Sequence, residues 1–240
     1  MNAILPKQAP KQAAGWEAKR ARLEQYFDRT ALDAWAAMTS DAPVSKIRAT
    51  VRAGREDMRN TLLGWLPQDL RGRRILDAGC GTGMLAIEVA RRGGDVVGID
   101  VSPQLIEIGK ERLPADVQGK ISLHAGDMLD AGYGDFDHIV SMDVLIHYES
   151  DQIAAATARL AERARHSLLF TFAPGTPLLR TARAVGQFFP KSDRSPSIIP
   201  VAHDLLKSRL SRSVPQARLG RDQRISRGFY TSHAQEVLLG

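Results

Sequence analysis

The sequence predicts an α/β fold: a mostly parallel, doubly wound sheet with an antiparallel C-terminal strand and a helical N-terminal segment. Three observations predict it. Short β-rich runs alternate with helical stretches through the middle third, a glycine-rich turn joins the first run to the helix after it, and the N-terminal third carries no strand signal. Alternation of this kind is typical of parallel sheets covered by helices on both faces.

The N-terminal third predicts two helices, at residues 16–38 and 44–65, separated by a Ser-Asp-Ala-Pro break at 40–43. At about 100° per residue, the second helix carries an apolar stripe and a basic stripe beside it. The apolar stripe comprises Ile47, Val51, Met58 and Leu62. The basic stripe comprises Arg48, Arg52, Arg55 and Arg59. We expect residues 1–65 to form a helical arm or lid.

Residues 66–240 predict the sheet domain. Five strands are expected at 74–77, 95–99, 121–124, 136–141 and 167–172, with helices at 84–92, 103–112 and 151–163. The C-terminal third predicts a Pro- and Ser-rich insertion, a short helix near 201–210 and two strands within 217–239. We expect the insertion, which follows the fifth strand and spans 174–212, to lie on the substrate side.

Composition narrows the functional classes. The 240 residues include 33 Lys and Arg against 27 Asp and Glu, a net charge of +6, but residues 75–173 carry −7 between flanks of +6 and +7. Nucleic acid, a membrane surface or a small anionic substrate would each suit basic flanks.

No apolar run reaches the roughly 18–20 residues of a spanning helix and no secretory signal is recognisable, so a cytoplasmic protein is expected. The single cysteine offers no zinc cluster and the histidines are scattered, so no metal ligand is predicted.

Residues 75–83 read ILDAGCGTG, a strand that runs into a glycine turn at the start of a helix. Glycine lacks Cβ, so a ligand can lie against this backbone. Asp100 ends the next strand, 19 residues after Gly81, where its carboxylate can accept hydrogen bonds from both ribose hydroxyls. After the third strand, Asp127 can accept from an exocyclic amine while Met128 packs on a purine. Three strand ends are therefore predicted to bind one adenosine.

The spacing of the turn is G-x-G-x-G. It differs from the dinucleotide-binding fingerprint G-x-G-x-x-G, which would need glycine at position 84, where this chain has Met84. With Asp77 leading it, the turn resembles motif one of the class I S-adenosylmethionine-dependent methyltransferases, whose sheet is Rossmann-like. That resemblance implies S-adenosylmethionine as methyl donor and S-adenosylhomocysteine as product. It also implies these cofactor-binding residues: Asp77, Gly79, Cys80, Gly81, Asp100, Val101, Ser102, Asp127, Met128 and Asp143.

Residues 143–148 read DVLIHY after the fourth strand, where nucleic-acid amino-methyltransferases carry a Pro-Pro-aromatic signature that this chain lacks. Together with Tyr26, Phe27 and Trp35, this segment resembles the magnesium-protoporphyrin IX O-methyltransferases. Segments 170–174, 188–190 and 227–230 extend the resemblance, which covers about residues 22–232. It implies methyl transfer to one propionate of magnesium-protoporphyrin IX in chlorophyll or bacteriochlorophyll synthesis.

Three side chains are catalytic candidates. A propionate is already an anion at neutral pH, because its pKa lies near that of Glu, about 4.3, so no strong base is required. His147 is expected to orient this propionate by donating a hydrogen bond, or else to cap the following helix. Tyr26 is expected to close over cofactor and substrate, or to pack in the core. The resemblance implies a hydrogen-bonding tyrosine near residue 39, where this chain has none, and Thr39 can donate the same hydrogen bond from a shorter side chain.

The stripe of Arg48, Arg52, Arg55 and Arg59 has two interpretations. It is a solvated helix face, or it borders a site for an apolar plate and pairs with the non-reacting propionate.

The resemblance also implies partners. These are the large subunit of magnesium chelatase, which hands over the porphyrin, and photosynthetic membranes, at whose periphery the enzyme works. No nucleic-acid partner is expected. Two alternatives stay open: a class I methyltransferase that acts on RNA, which the basic flanks favour, and a module that binds cofactor or porphyrin without turnover.

Overall fold

The computed structural model describes residues 9–30, 32, 39, 45–175 and 197–240. Seven strands occur within them: β1 (Arg74–Ala78), β2 (Asp95–Asp100), β3 (Lys120–Ala125), β4 (Phe136–Ser141), β5 (Ala164–Phe172), β6 (Arg218–Arg227) and β7 (Tyr230–Leu238). They form one sheet with the order β3-β2-β1-β4-β5-β7-β6. The strands β1 to β5 pair in parallel, whereas β7 pairs antiparallel with both β5 and β6.

The described residues include six α-helices: α1 (Ala9–Gln25), α2 (Lys46–Trp65), α3 (Met84–Arg91), α4 (Pro103–Glu111), α5 (Ser150–Ala161) and α6 (His203–Ser213). Ser102 caps α4, because its hydroxyl accepts a hydrogen bond from the Leu105 amide at 3.2 Å and Pro103 takes the first helical position. Reciprocal hydrogen bonds between Glu149 and Gln152 cap α5. These caps define where the loops after β2 and β4 end.

The predicted fold class is confirmed. All five strands expected in the middle third and both strands expected near the C-terminus are present, and β7 is the strand that runs against the others. The helix predicted at 16–38 is α1 followed by a π-helical turn, Tyr26–Thr30, and residues 33–38 lie outside the described residues. The helix predicted at 44–65 begins at Lys46. Residues 40–43 and, within the insertion, 176–196 also lie outside the described residues.

Helix α2 packs on the sheet through Met58 and Leu62 of the predicted apolar stripe, with Val51 partly buried beside them. Ile47 of the same stripe is instead 56% exposed in the first turn of the helix. One buried cluster joins Met58 and Leu62 of α2 to Ile75 of β1 and Tyr230 of β7. A Cβ on Gly54 would lie 2.6 Å from the Tyr230 ring, so glycine permits this close approach. The sheet therefore holds α2 against β6 and β7, and Arg55 of α2 reaches Asp143 just after β4. The division into an arm at 1–65 and a domain at 66–240 stays a prediction.

Candidate active site

A cavity of about 330 Å³ lies at the carboxyl ends of the central strands. In the sheet, β1 stands between β2 and β4, which is the point where the strand order reverses. Ligands of open α/β sheets bind at such a switch point. The volume is at the low end of the roughly 300–1,000 Å³ typical of small-molecule sites. The cavity therefore suits one small ligand, and a second, larger molecule needs space beyond it.

The glycine turn after β1 forms one wall of the cavity. Gly79 and Gly81 have φ angles of 80° and 55°, in the left-handed region that favours glycine. The amides of Gly79 and Cys80 donate to the Ile99 carbonyl of β2 at 2.7 and 3.1 Å. A Cβ on Gly79 would lie 2.0 Å from Cγ2 of Val144, so a side chain there would displace the loop after β4. The turn thus forms a cradle in which a ligand can lie against bare backbone.

Asp77 precedes this turn and is only 2% exposed. Its Oδ2 has no hydrogen-bond partner among the described residues. Burial raises the pKa of Asp77 to about 7; the charge of Asp100 adds to this shift, and the Ala86 amide opposes it. An unpaired buried carboxylate is unfavourable unless a positive group reaches it. The cavity at Asp77 therefore fits the ammonium group of an amino acid.

We expect Asp77 to contribute a loss of stability to the ligand-free protein as the pH rises from about 4 to about 7. A carboxyl with a raised folded-state pKa holds its proton more tightly when folded. Its stabilisation is therefore complete below the unfolded pKa and is lost as the pH rises through about 7. This one group contributes a slope of up to about 1.4 kcal/mol per pH unit. Chemical denaturation at pH 5 and pH 8 should show a smaller pH effect for Asp77→Asn than for the wild type. An unchanged pH effect would contradict the assignment.

Asp100 accepts hydrogen bonds from two backbone segments, the glycine turn and the residue that caps α4. Its Oδ2 accepts from the Gly81 amide and its Oδ1 from the Ser102 amide, each at 2.9 Å. Burial raises the pKa of Asp100, and the amides of Ser102, Gly81 and Val101 oppose that shift. Each carboxylate oxygen keeps a further lone pair for a ligand. Asp100 and Val101 line the cavity, whereas Ser102 does not, since its buried hydroxyl donates to Oδ1 of Asp28 at 3.0 Å.

The loop after β3 brings Asp127 and Met128 to the same cavity. Oδ1 of Asp127 accepts from the Leu129 amide at 2.9 Å, and its Oδ2 lies 4.0 Å from Nε of Arg20. Met128 is 5% exposed and forms part of the wall. Asp100 and Asp127 therefore stand at neighbouring strand ends, as the predicted adenosine site requires.

Asp143, after β4, is the centre of a polar network. Its φ of 58° is the one positive value at a described residue other than glycine. Its carboxylate accepts from Nη1 of Arg55 at 2.6 Å and from the Tyr230 hydroxyl at 2.9 Å. The hydroxyls of Thr171 and Ser232 each lie 3.3 Å from its Oδ1. Asp143 lines the cavity, yet its oxygens bind α2, β5 and β7, which favours a positioning role over the predicted contact with the cofactor.

His147 lies in a 3-10 turn after β4 and lines the cavity at 8% exposure. Its Nδ1 is 3.4 Å from the carbonyl oxygen of Ser197, and its own carbonyl accepts from Nζ of Lys19 at 2.8 Å. Burial lowers the pKa of His147, against the opposing effects of Ser197 and Asp143. The imidazole is therefore neutral at physiological pH.

Helix α1 covers the cavity, and sequence reasoning missed most of its contacts. Trp16 stacks on Tyr148 with ring centroids 4.4 Å apart. Arg20 and Leu23 line the cavity from the next turns, and Phe27 follows them in the π-helical turn. The spacing of Trp16, Arg20, Leu23 and Phe27 at three or four residues is a helical-face signal that could have identified this surface.

The two other catalytic candidates have different positions. Tyr26 packs edge-on against Phe27, with ring centroids 5.2 Å apart, and is not among the lining residues. Thr39 lines the cavity, and its Oγ1 lies 3.4 Å from Nη1 of Arg112, the residue that follows α4. Phe27, not Tyr26, is therefore the aromatic side chain that this turn presents to the cavity.

The basic stripe of α2 divides between two environments. Arg52, Arg55 and Arg59 line the cavity, whereas Arg48 is exposed in the first turn of α2. Arg55 pairs with Asp143, as described above. Arg59 lies 3.5 Å from Glu56 and donates to Sδ of Met84 at 3.8 Å. The solvated-face interpretation therefore suits Arg48, and the substrate interpretation suits Arg52 and Arg59.

Within the described ranges, no helix combines the length and the apolar character needed to cross a bilayer.

Comparison with known proteins gives two family matches. A model described as magnesium-protoporphyrin IX methyltransferase C-terminus matches residues 141–238, and a methyltransferase domain model matches residues 75–166. The chain is 48% identical to the magnesium-protoporphyrin O-methyltransferase of Rhodobacter capsulatus over 218 residues. The aligned region covers 90% of this chain and 95% of that protein. The protein of the same name from Synechocystis sp. is 30% identical over 172 residues, which cover 70% of this chain and 74% of the relative.

A solved structure has the same fold. The crystal structure of magnesium protoporphyrin IX methyltransferase from Synechocystis PCC 6803 with bound SAH aligns with a TM-score of 0.81 at 24% identity. The alignment covers 92% of this chain and 100% of that chain.

Proposed function

The chain belongs to the magnesium-protoporphyrin O-methyltransferases, and from that premise we propose how its cavity serves the reaction. The enzyme transfers a methyl group from S-adenosylmethionine to a propionate of magnesium-protoporphyrin IX. The product is magnesium-protoporphyrin IX monomethyl ester, an intermediate in the synthesis of chlorophyll or bacteriochlorophyll. One observation carries the proposal for the site: Asp77, Asp100 and Asp127, from three successive strand ends, meet at one cavity.

The residues present fit the cofactor. Asp100 accepts hydrogen bonds from the ribose, and Asp127 and Met128 contact the adenine. The unpaired Oδ2 of Asp77 accepts from the α-ammonium group, and Gly79, Cys80 and Gly81 present backbone to the methionine part. Val101 packs beside the adenosine, and Ser102 acts indirectly by capping α4. S-adenosylmethionine supplies an electrophilic methyl group on its sulfonium.

The substrate carboxylate and the donor are oppositely charged, and both become neutral in the products. A site with low water content therefore favours the reaction, because charge disappears as the methyl group moves. Trp16 and Tyr148 exclude water through their stacked rings, and Leu23 and Phe27 add apolar walls. Such a site holds the reacting oxygen close to the methyl group, which converts binding energy into rate.

His147 faces this site with a neutral ring. The 3.4 Å contact between its Nδ1 and the Ser197 carbonyl favours the tautomer with the proton on Nδ1, which leaves Nε2 as an acceptor. That tautomer differs from the hydrogen-bond donor expected from the sequence. Entry into a dry pocket raises the pKa of a propionic acid, and the sulfonium beside it lowers that pKa, so only a fraction of the substrate arrives as the acid. We therefore assign to Nε2 of His147 the removal of its residual proton, so that the anion is the reacting form.

We expect His147→Ala to lower kcat by about 100-fold, in the range typical for loss of an acid–base group, and to leave the S-adenosylmethionine Kd within about twofold. His147→Gln distinguishes hydrogen-bond donation from proton removal, because the glutamine amide donates a hydrogen bond but is not a base. If the ring only donates, Gln should restore turnover, and this result would contradict the acceptor role. Steady-state kinetics and calorimetric titration of the cofactor give the two quantities.

Arg52 and Arg59 line the cavity from α2, where they could bind a porphyrin propionate. We expect Arg52→Gln and Arg59→Gln each to raise the apparent KM for magnesium-protoporphyrin by about 10-fold, which corresponds to one charge-assisted hydrogen bond. The matched control is Arg48→Gln, on the same stripe but outside the lining. If all three variants have the KM of the wild type, the stripe is only a solvated face.

The activity itself has a direct test. The purified chain is incubated with S-adenosylmethionine labelled on its methyl group and with magnesium-protoporphyrin IX, and the porphyrins are separated by chromatography. We expect label in the monomethyl ester. Label in added RNA instead, or binding of both ligands without transfer, would contradict the proposal.

We also propose peripheral contact with an anionic membrane surface. Ile47 and Phe229 are large apolar side chains that are 56% and 74% exposed. They lie on segments in contact, because a Cβ on Gly228 would be 2.6 Å from Oγ1 of Thr50. Basic residues beside apolar ones suit the interface of anionic lipids, and Arg48 follows Ile47 directly. Co-sedimentation with anionic vesicles should fall in the Ile47→Ser/Phe229→Ser double variant, and equal sedimentation would contradict the proposal.

A second proposed partner is the large subunit of magnesium chelatase, as donor of the porphyrin. Membership of the family supports this contact, and the exposed first turn of α2, which carries Arg48 beside the cavity-lining part of the same helix, offers a surface for it. Transfer of porphyrin from the loaded subunit should then be faster than its release into buffer. Equal rates would contradict direct handover.

A further inference from the structure

Three side chains that are distant in the sequence meet where α6, β6 and β7 join. His203 begins α6, Asp222 lies in β6 and His233 lies in β7. One possible ligand atom from each of them lies within 4.8 Å of the other two. None of the three lines the cofactor cavity, so this cluster is separate from the active site.

The two imidazoles of the cluster are held in place by their neighbours. The rings of His203 and His233 have centroids 4.3 Å apart, and the ring of Phe172 stacks on His233 at 5.0 Å. Nε2 of His233 is 2.9 Å from Oδ1 of Asp222, and Nε2 of His203 is 3.1 Å from Oε1 of Gln235. The cluster therefore combines two ring nitrogens, one carboxylate and a nearby amide that can orient His203.

The chemistry of the three side chains suits a cation. Two imidazoles and a carboxylate offer nitrogen and oxygen lone pairs from three separate elements. Metals bind such groups as neutral imidazole and ionised carboxylate, so binding should be stronger at neutral pH than in acid.

We propose that His203, Asp222 and His233 bind a zinc-type divalent cation, which fastens α6 to the β6–β7 hairpin. Two His and one carboxylate, with water in the fourth position, form a common ligand set of zinc. Borderline ions such as Zn²⁺ and Co²⁺ prefer imidazole nitrogen, whereas Mg²⁺ and Ca²⁺ prefer oxygen.

Binding requires a small rearrangement. Ligands at about 2.1 Å from a tetrahedral ion are roughly 3.4 Å from each other. Nε2 of His233 and Oδ1 of Asp222, now 2.9 Å apart, must therefore separate slightly to admit the ion between them and His203. Nζ of Lys207, now 3.3 Å from Oδ2 of Asp222, must also move away from the ion. The side chains of Lys207 and Asp222 are 39% and 34% exposed, so both have room to turn.

Equilibrium dialysis of the chelator-treated full chain against Zn²⁺ tests the proposal. We expect one ion per chain, and an affinity that falls by at least about 100-fold in His203→Gln and in His233→Gln, since loss of an outer-shell partner alone costs 10–100-fold. His124→Gln, in β3, is the matched control and should bind as the wild type does. Lys207→Met should bind more tightly, because the competing ammonium group is gone.

A second readout keeps the test independent of folding defects in the variants. Co²⁺ bound to the wild type at this site should give visible absorption of a four- or five-coordinate ion, which added Zn²⁺ removes. Absence of a stoichiometric ion on the wild type would overturn the proposal. It would also be overturned if both histidine variants, with circular dichroism like that of the wild type, bound Zn²⁺ as tightly as the wild type.

Discussion

Asp100→Ala should weaken the binding of S-adenosylmethionine by more than about 100-fold. The carboxylate is the proposed acceptor for two ribose hydroxyls, and hydrogen bonds to a charged group contribute about 1.5–3 kcal/mol each. It also holds the glycine turn through the Gly81 amide and the start of α4 through the Ser102 amide, each at 2.9 Å. The substitution therefore removes ligand contacts and loosens the cradle at the same time.

Calorimetric titration with S-adenosylhomocysteine measures this effect without turnover. The matched control is Asp95→Ala, because Asp95 begins the same strand that Asp100 ends and is exposed at the opposite edge of the sheet. Its Kd should equal that of the wild type. A loss of less than about 10-fold in Asp100→Ala would show that the ribose is bound elsewhere.

Asp143→Asn should lower the free energy of unfolding by about 3 kcal/mol. Removing one partner of a buried ion pair leaves the other charge uncompensated, at a typical cost of about 3–5 kcal/mol. The side chain of Asp143 is 3% exposed and that of Arg55 is 20% exposed, so water reaches Arg55 only in part. Asn tolerates the left-handed backbone at this position, so the change isolates the charge. Asp143→Ala should cost about 1–2 kcal/mol more, because Ala does not tolerate this conformation well.

The control is a second Asp–Arg ion pair that involves α2, formed between Asp57 of α2 and Arg227 of β6. Asp57 and Arg227 are 2.7 Å apart, close to the 2.6 Å of Asp143 and Arg55, but both side chains are more than 40% exposed. Exposed pairs contribute about 0–1 kcal/mol, so Asp57→Asn should have little effect. Chemical denaturation monitored by circular dichroism compares the variants. Equal losses in Asp57→Asn and Asp143→Asn would contradict the role of burial.

The effect of Asp143→Asn on activity follows from the same network. Arg55 reaches Asp143 from α2, and Tyr230 reaches it from β7, so the carboxylate joins the covering helix to the sheet. Burial raises the pKa of Tyr230 well above its usual value, so its hydroxyl stays protonated and donates. The loss of Asp143 should therefore alter the part of the cavity lined by Arg52 and Arg59 more than the part lined by Asp100 and Asp127.

The sequence alone predicted that three strand-end carboxylates would meet at one cavity, because their positions depend on local order. Asp77, Asp100 and Asp127 each follow a strand in the chain, and the carboxyl ends of parallel strands meet at one edge of a sheet. Glycine at 79 and 81 is demanded by backbone angles that a single turn imposes. Periodicity likewise predicted that Met58 and Leu62 of α2 would be buried.

The tertiary structure alone decided how the other side chains are paired. Periodicity placed Arg48, Arg52, Arg55 and Arg59 on one stripe, but only the docking of α2 shows that Arg55 meets Asp143. Spacing did not distinguish Tyr26 from Phe27 either, since the π-helical turn decides which ring faces the cavity.

His203 and His233 show the same limit over a longer distance in the chain. They are 30 residues apart and look unrelated in the sequence, yet α6 and the antiparallel β6–β7 hairpin bring their rings to 4.3 Å. Sequence patterns report the periodicity of one element and the order of neighbouring elements. Contacts between distant elements depend on strand register and helix docking, which are set by packing of the whole chain.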